Sequence, residues 1–220
     1  EKEVNADFQL NALPRFNQLS LRTRHEAKFF PPDDFFLEIA VAAEDGDTAG
    51  LLDLVWYEIE SMGFVDTLQF LPQAQIYFKR LKASDFGVLA LESLLGKPFK
   101  FFVKDANGAV VFSEEKFITR IIDPTPRTIS PLGNTTIPFE FTWQAIEEFL
   151  TPYPFTFSIE IFLNVNIALP PEDVIENISA SQTSIHYNGS LPPGSYFWVL
   201  YIVDEFGNRS RSIPTELTIQ

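Results

Sequence analysis

Apolar and polar side chains alternate with a period of two along most of the chain. The clearest run is 155–163, where Phe155, Phe157, Ile159, Ile161 and Leu163 share one face and Thr156, Ser158 and Glu160 the other. Alternation of that length predicts a half-buried strand. Segments 19–24, 35–42, 55–59, 99–104 and 139–143 repeat the pattern. Segment 196–203 is apolar throughout, which predicts a central strand covered on both faces. One stretch departs. Ser84-Asp85, then 86–95, then Gly96 reads either as a short helix near 85–95, capped by Ser84 and ended by Gly96, or as irregular chain. The predicted fold class is all-β.

An internal repeat organises these strands. Asp105-Ala-Asn-Gly108 follows an apolar strand and is followed by Ser113; Asp204-Glu-Phe-Gly207 follows another and is followed by Ser212. In each the serine stands at the same offset from the aspartate. Each copy predicts a tight hairpin, with Asp capping the turn and Gly supplying a positive φ. The copies lie about a hundred residues apart, the length of one β-sandwich. The expected architecture is therefore two tandem antiparallel β-sandwiches, over 1–122 and 127–220. Residues 123–126, Asp-Pro-Thr-Pro, would be a short stiff linker.

Composition narrows the functions. Against 16 Lys+Arg stand 30 Asp+Glu, a formal net charge of −14. Such acidity argues against nucleic acid, whose binders cluster Lys and Arg, and against anionic lipid. No apolar run approaches the roughly 18 residues of a membrane span. With no cysteine, a disulfide framework, a thiol nucleophile and a thiolate metal site are all excluded.

The last hundred residues resemble a fibronectin type III domain of the bacterial extracellular kind. Leu191-Pro-Pro-Gly194-Ser-Tyr196-Phe-Trp198 is similar to that family's entry into strand F, with Tyr196 as the corner tyrosine. Asp204, Gly207 and Asn208 resemble its F–G hairpin, and Trp143 would be its core tryptophan. The resemblance implies a fold and no particular activity. No Arg-Gly-Asp triplet occurs, so integrin-style adhesion finds no support. The first domain is expected to be immunoglobulin-like on its repeated hairpin and strand pattern. The resemblance also implies a place outside the cytoplasm of a bacterium, as a secreted, cell-surface or periplasmic protein. In a lipoprotein, a signal peptide and a lipid-bearing cysteine would precede Glu1 in the precursor.

Catalytic chemistry is sparse. His25 and His186 are the only histidines, and they fall in different expected domains. A nucleophile–histidine pair would need a suitable Ser or Cys beside one of them. No Gly-x-Ser-x-Gly, Walker loop or Gly-x-Gly-x-x-Gly is present. The chain is therefore expected not to be an enzyme. A pocket holding a histidine with two convergent carboxylates would reopen that question.

For metal, Asp45, Asp47 and Asp53 imitate the start of an EF-hand loop, but Trp56 stands where a bidentate Glu is required. The segment reads as an acidic loop between strands or as an irregular calcium site; no other cofactor is expected. Among the 23 phenylalanines, adjacent aromatics on alternating strands cannot all face one core. Some of Phe30, Phe36, Trp56, Phe102 and Phe162 should therefore lie on an outer face or at the interface between the two sandwiches, and Phe30, Phe36, Trp56 and Phe162 are the candidate contact residues. The leading expectation is a non-catalytic interaction or scaffold module, with other envelope or surface proteins as partners. The alternative is a carbohydrate-binding accessory module of a secreted polysaccharide-processing system, with glycans as ligands.

Overall fold

The computed structural model describes residues 12–46, 52–147, 150–163 and 170–220. These residues are mainly strands joined by turns, irregular connections and short 3-10 turns, and none of them lies in an α-helix. The earlier strands are β1 (Arg15–Glu26), β2 (Asp34–Glu44), β3 (Leu54–Ile59), β4 (Phe64–Thr67), β5 (Gln69–Leu71), β6 (Ile76–Leu81), β7 (Pro98–Lys104), β8 (Val110–Phe112) and β9 (Lys116–Phe117). The later ones are β10 (Thr128–Ser130), β11 (Gly133–Thr135), β12 (Phe139–Trp143), β13 (Phe155–Leu163), β14 (Asp173–Ser179), β15 (Ser184–Tyr187), β16 (Gly194–Asp204), β17 (Arg209–Arg211) and β18 (Thr215–Ile219).

The chain divides into two compact units that interleave in sequence. The first takes residues up to Leu21, Glu38–Leu81 and Leu94–Ile118; the second takes Arg22–Leu37, Lys82–Ser93 and Thr119–Gln220. Each of β1 and β2 therefore has one end in each unit.

The second unit is built around β16. β13 runs antiparallel along one edge of it, with β14 outside. On the other edge, β18 pairs with the first half of β16 and β17 with the second half. β11 joins β18 in parallel, and the end of β1 joins β17 in parallel at Arg24–Glu26. A smaller antiparallel sheet, β10-β12-β15, supplies the opposite layer. One cluster fills the core, including Phe141, Trp143, Phe157, Ile159, Ile161, Trp198, Leu200 and Ile202. Alternation on β12 and β13 is what brings these residues to one side. The reverse face of β16 is also covered, because Val199 and Tyr201 pack with Phe162. That explains the unbroken apolar run.

The corner tyrosine is present, with the Tyr196 hydroxyl donating to the Pro192 carbonyl at 2.8 Å. Trp143 is 1% exposed and packs edge-on against Phe157 at 5.4 Å. Leu191 is buried, and the Trp198 indole N–H donates to the Pro131 carbonyl at 3.1 Å. This unit is a two-layer β-sandwich that carries the corner tyrosine and core tryptophan the resemblance implied.

The first unit is also all β. β4-β3-β7-β8 form one antiparallel sheet, with β9 also pairing with β7, and β6 pairs with β5 in another. Val55, Tyr57 and Ile59 of β3 and Phe99, Phe101 and Val103 of β7 point into the core, with Tyr57 within ring contact of Phe99 and Phe101.

The repeated hairpins match bond for bond. In the first unit the Gly108 N–H donates to the Asp105 carbonyl and the Asp105 N–H to the Ala109 carbonyl. In the second, Gly207 and Asp204, then Asp204 and Asn208, do the same. Both glycines have positive φ, 91° and 80°. Each serine closes the hairpin twice: Ser113 N–H to the Phe101 carbonyl and Phe101 N–H to Ser113 Oγ, then Ser212 and Leu200 likewise.

The 85–95 stretch is not one helix. It forms two 3-10 turns, Ala83–Phe86 and Leu91–Leu94. Gly87 adopts φ 69° and its N–H closes on the first turn, so the chain reverses before a second turn can form. The start is capped at Lys82, whose N–H bonds the Asp85 carboxylate at 2.7 Å, and not at Ser84.

Candidate functional site

The connection between β1 and β2 belongs to the second unit and carries two bare aromatics. Phe29 and Phe30 are 77% and 76% exposed and meet edge to face at 4.9 Å. Carboxylates fix the loop beneath them. Asp33 Oδ1 accepts from the Lys28 N–H at 3.1 Å, and its Oδ2 lies 3.0 Å from His25 Nε2. Asp34 binds the ammonium groups of Lys82 at 2.8 Å and Lys28 at 3.2 Å. The Lys82 hydrogen bond, opposed by partial burial and helped by Lys28, holds the Asp34 carboxyl below the usual carboxylate range.

His25 anchors this loop to the sandwich. It is 4% exposed and stacks on Phe35 with centroids 4.0 Å apart. Its Nδ1 lies 3.1 Å from the Ile122 carbonyl and 3.3 Å from Ser210 Oγ. Ser210, His25 and Asp33 thus form a hydrogen-bonded series of nucleophile, base and acid types. The series cannot act as a relay on an external substrate, because Ser210 is 0% exposed. Both ring nitrogens are also engaged, so neither offers a free acid or base atom. The array holds the fold together.

Nearby, a second clamp ties β1 down. The Asp204 carboxylate accepts from the N–H groups of Phe206 and Asn208, the Asn208 amide and Arg120, all at 2.9–3.0 Å. Asn208 in turn accepts from the Thr23 N–H at 2.8 Å. Arg120 lays its guanidinium over Tyr153, 4.1 Å from the ring centroid. A charge buried this deeply is stable only with several donors around it.

Beside the tip opens a cavity of about 660 Å³. His25, Asp33 and Phe35 line one part of it, with Pro31 from the tip. Asp123 and Arg127 from the segment before β10, and Ile146, Glu147 and Leu150 after β12, line the rest. The cavity therefore does hold a histidine with carboxylates, but the histidine is committed to Asp33.

Of the aromatic candidates, only Phe30 lies at this site with its ring open. Phe36 is half-buried under the Lys82 ammonium, 5.1 Å from its centroid. Phe162 is 4% exposed in the small cluster with Val199 and Tyr201, so it is a packing residue and not a surface contact. Trp56 belongs to the first unit. There it stacks on Phe102 at 4.9 Å and 8°, and its indole N–H donates to Glu58. One face of the indole is therefore taken by Phe102. Phe29, as open as Phe30, was not singled out by sequence; four aromatics flanking a Pro-Pro turn were the available signal.

The acidic calcium candidates do not assemble among the described residues. Asp45 is buried, and Asp53 pairs with Lys104 at 2.9 Å. Asp47 lies outside the described residues. No group of three or more His, Asp or Glu side chains able to hold a metal occurs among the described residues. Among them, too, no helix is long and apolar enough to cross a membrane.

No protein-family model matches the chain, and no curated protein matches it. Among solved structures the chain is similar to the FN1–FN3 domains of chicken CNTN1, at 9% identity and a TM-score of 0.37, covering 95% of this chain and 65% of that one. It is also similar to the fibronectin(III)-like modules of Clostridium thermocellum CbhA, at 13% identity and a TM-score of 0.36, covering 94% of this chain and 93% of that one. The chain thus spans less than two thirds of the length of the CNTN1 chain.

Proposed function

We propose that this chain is a non-catalytic interaction module working outside the cytoplasm, and that its second unit engages a partner protein through the Phe29–Phe30 tip. The observation that carries this reading is the pair itself: two phenyl rings three-quarters exposed, in contact, on a loop fixed by Asp33 and Asp34. A mobile apolar loop would lose entropy on binding; a loop already held does not. Aromatic anchors of this kind dominate protein interfaces, each burying about 150–250 Å².

The test is a cross-linked pull-down from the native envelope, with the full chain and with the double variant Phe29→Ser, Phe30→Ser as baits. A stoichiometric protein held by the first and lost by the second supports the reading. The same proteins on both baits would overturn it. The extracytoplasmic location has its own check: reading the codons upstream of Glu1 for a signal peptide. The carbohydrate reading rests on Trp56. A glycan array on the wild type and a Trp56→Ala variant decides it, with binding lost in the variant as the supporting result.

A further inference from the structure

The cavity beside the tip contains charge that the fold does not use. His25 and Asp33 satisfy each other. Asp123 and Glu147 are exposed on the wall; the Glu147 backbone carbonyl accepts from the Leu150 N–H at 2.9 Å, but neither carboxylate hydrogen-bonds or ion-pairs with another described residue. Arg127 is the one unengaged cation described on that wall, and it offsets only one of them. Between these groups the lining is apolar: Pro31, Phe35, Ile146 and Leu150.

We infer that this cavity takes the side chain of a lysine or arginine from an extended segment of the partner, whose apolar neighbour lies on Phe29 and Phe30. The inference rests on the interaction reading above and adds to it the chemistry of the partner. A long basic side chain has an apolar stem and a charged head. The cavity offers that division, with apolar walls for the stem and the Asp123 and Glu147 carboxylates for the head. Its volume exceeds what one side chain fills, leaving room for the flanking backbone, to which Arg127 can donate. Whole-molecule charge acts in the same sense, since −14 steers basic partners inward and repels acidic ones.

The probe is a phage-displayed library of random dodecapeptides, panned on the full chain and counter-selected on the Phe29→Ser, Phe30→Ser variant. The expected winners carry Lys or Arg beside an aromatic or aliphatic residue. The strongest, made synthetically, should lose at least about tenfold in affinity for an Asp123→Asn, Glu147→Gln variant, a difference of about 1.4 kcal/mol. Its binding should also weaken as salt rises. Both substituted side chains are exposed, and an unchanged melting temperature confirms that the variant folds. Tip-dependent peptides with no basic preference and full affinity for the charge variant would overturn the cation pocket while leaving the interaction reading standing. Acidic peptides that depend on Arg127 would overturn it equally. Zwitterionic lipid vesicles bound through the tip, with no peptide selected, would overturn both.

Discussion

Gly189 has less room than any other described glycine. A Cβ built there would lie 2.3 Å from the Tyr187 hydroxyl oxygen and 2.4 Å from its ring carbon. Tyr187 cannot step aside cheaply, being 3% exposed and donating to Asp173 at 2.8 Å. Burial first, then that bond, keeps its hydroxyl protonated well above the ordinary tyrosine range. Gly189→Ala should therefore cost about 1–3 kcal/mol by overpacking, read as a lower urea midpoint with an unchanged slope. Gly87 makes the opposite case: a Cβ there meets nothing, and only its φ of 69° resists substitution, so about 1 kcal/mol is expected. Asp34 adds a pH signature. Its carboxyl titrates below the usual range, so the stability it contributes is present at neutral pH and is lost as pH falls below about 4. Asp34→Asn should flatten that acid limb of a stability–pH curve, and an unchanged limb would remove Asp34 from the loop's support.

At the scale of elements, the two matching hairpins invite a paired comparison. Both carboxylates accept backbone N–H groups of their hairpins, Asp105 that of Ala109, and Asp204 also accepts from the Arg120 guanidinium and the Asn208 amide. Asp204→Ala should cost about 3–5 kcal/mol, because it leaves a part-buried guanidinium and several N–H groups unmatched. Asp105→Ala should cost distinctly less, and equal losses would show that the Arg120 and Asn208 bonds add nothing. The hairpins were legible in the sequence because their chemistry is local: Asp, Gly and Ser sit at fixed short spacings. The clamp on Asn208 was not legible, because Thr23 reaches it across 185 positions. Alternation was legible as well, but it states only that two faces exist and not which is covered. Phe30 and Phe162 therefore looked alike in sequence. They should separate on substitution: Phe29→Ser with Phe30→Ser should leave stability within about 0.5 kcal/mol, while Phe162→Ala should cost about 3–5 kcal/mol.

For the whole molecule, the all-β class followed directly from periodicity, and the second sandwich from its Tyr196 corner and core tryptophans. The order in which the chain supplies its units did not. Arg22–Leu37 and Lys82–Ser93 join the second unit from far upstream, and no local pattern marks such a recruitment. The candidate cavity was hidden for the same reason, since His25, Asp123 and Glu147 are drawn from distant segments. A fragment of residues 124–220 would lack Thr23, His25 and Arg120, and with them the strand beside β17. It should melt well below the second unit in the full chain; an equal melting temperature would show that the upstream segments only decorate a self-sufficient sandwich.

The buried Asn208 clamp bears on how this protein can be produced. Asn208-Arg209-Ser210 reads as an acceptor for N-linked sugar, as do Asn134, Asn177 and Asn188. The last three are exposed in the folded chain, whereas Asn208 is 2% exposed with its amide committed to Asp204. In a eukaryotic secretory pathway, oligosaccharide can be attached while the chain is still extended. A glycan on Asn208 would then occupy the nitrogen that the folded turn needs, and that fraction of molecules could not close the hairpin. Secretion from yeast should yield material whose folded portion is unmodified at Asn208 by peptide mapping, with any glycan at that position confined to the aggregated portion.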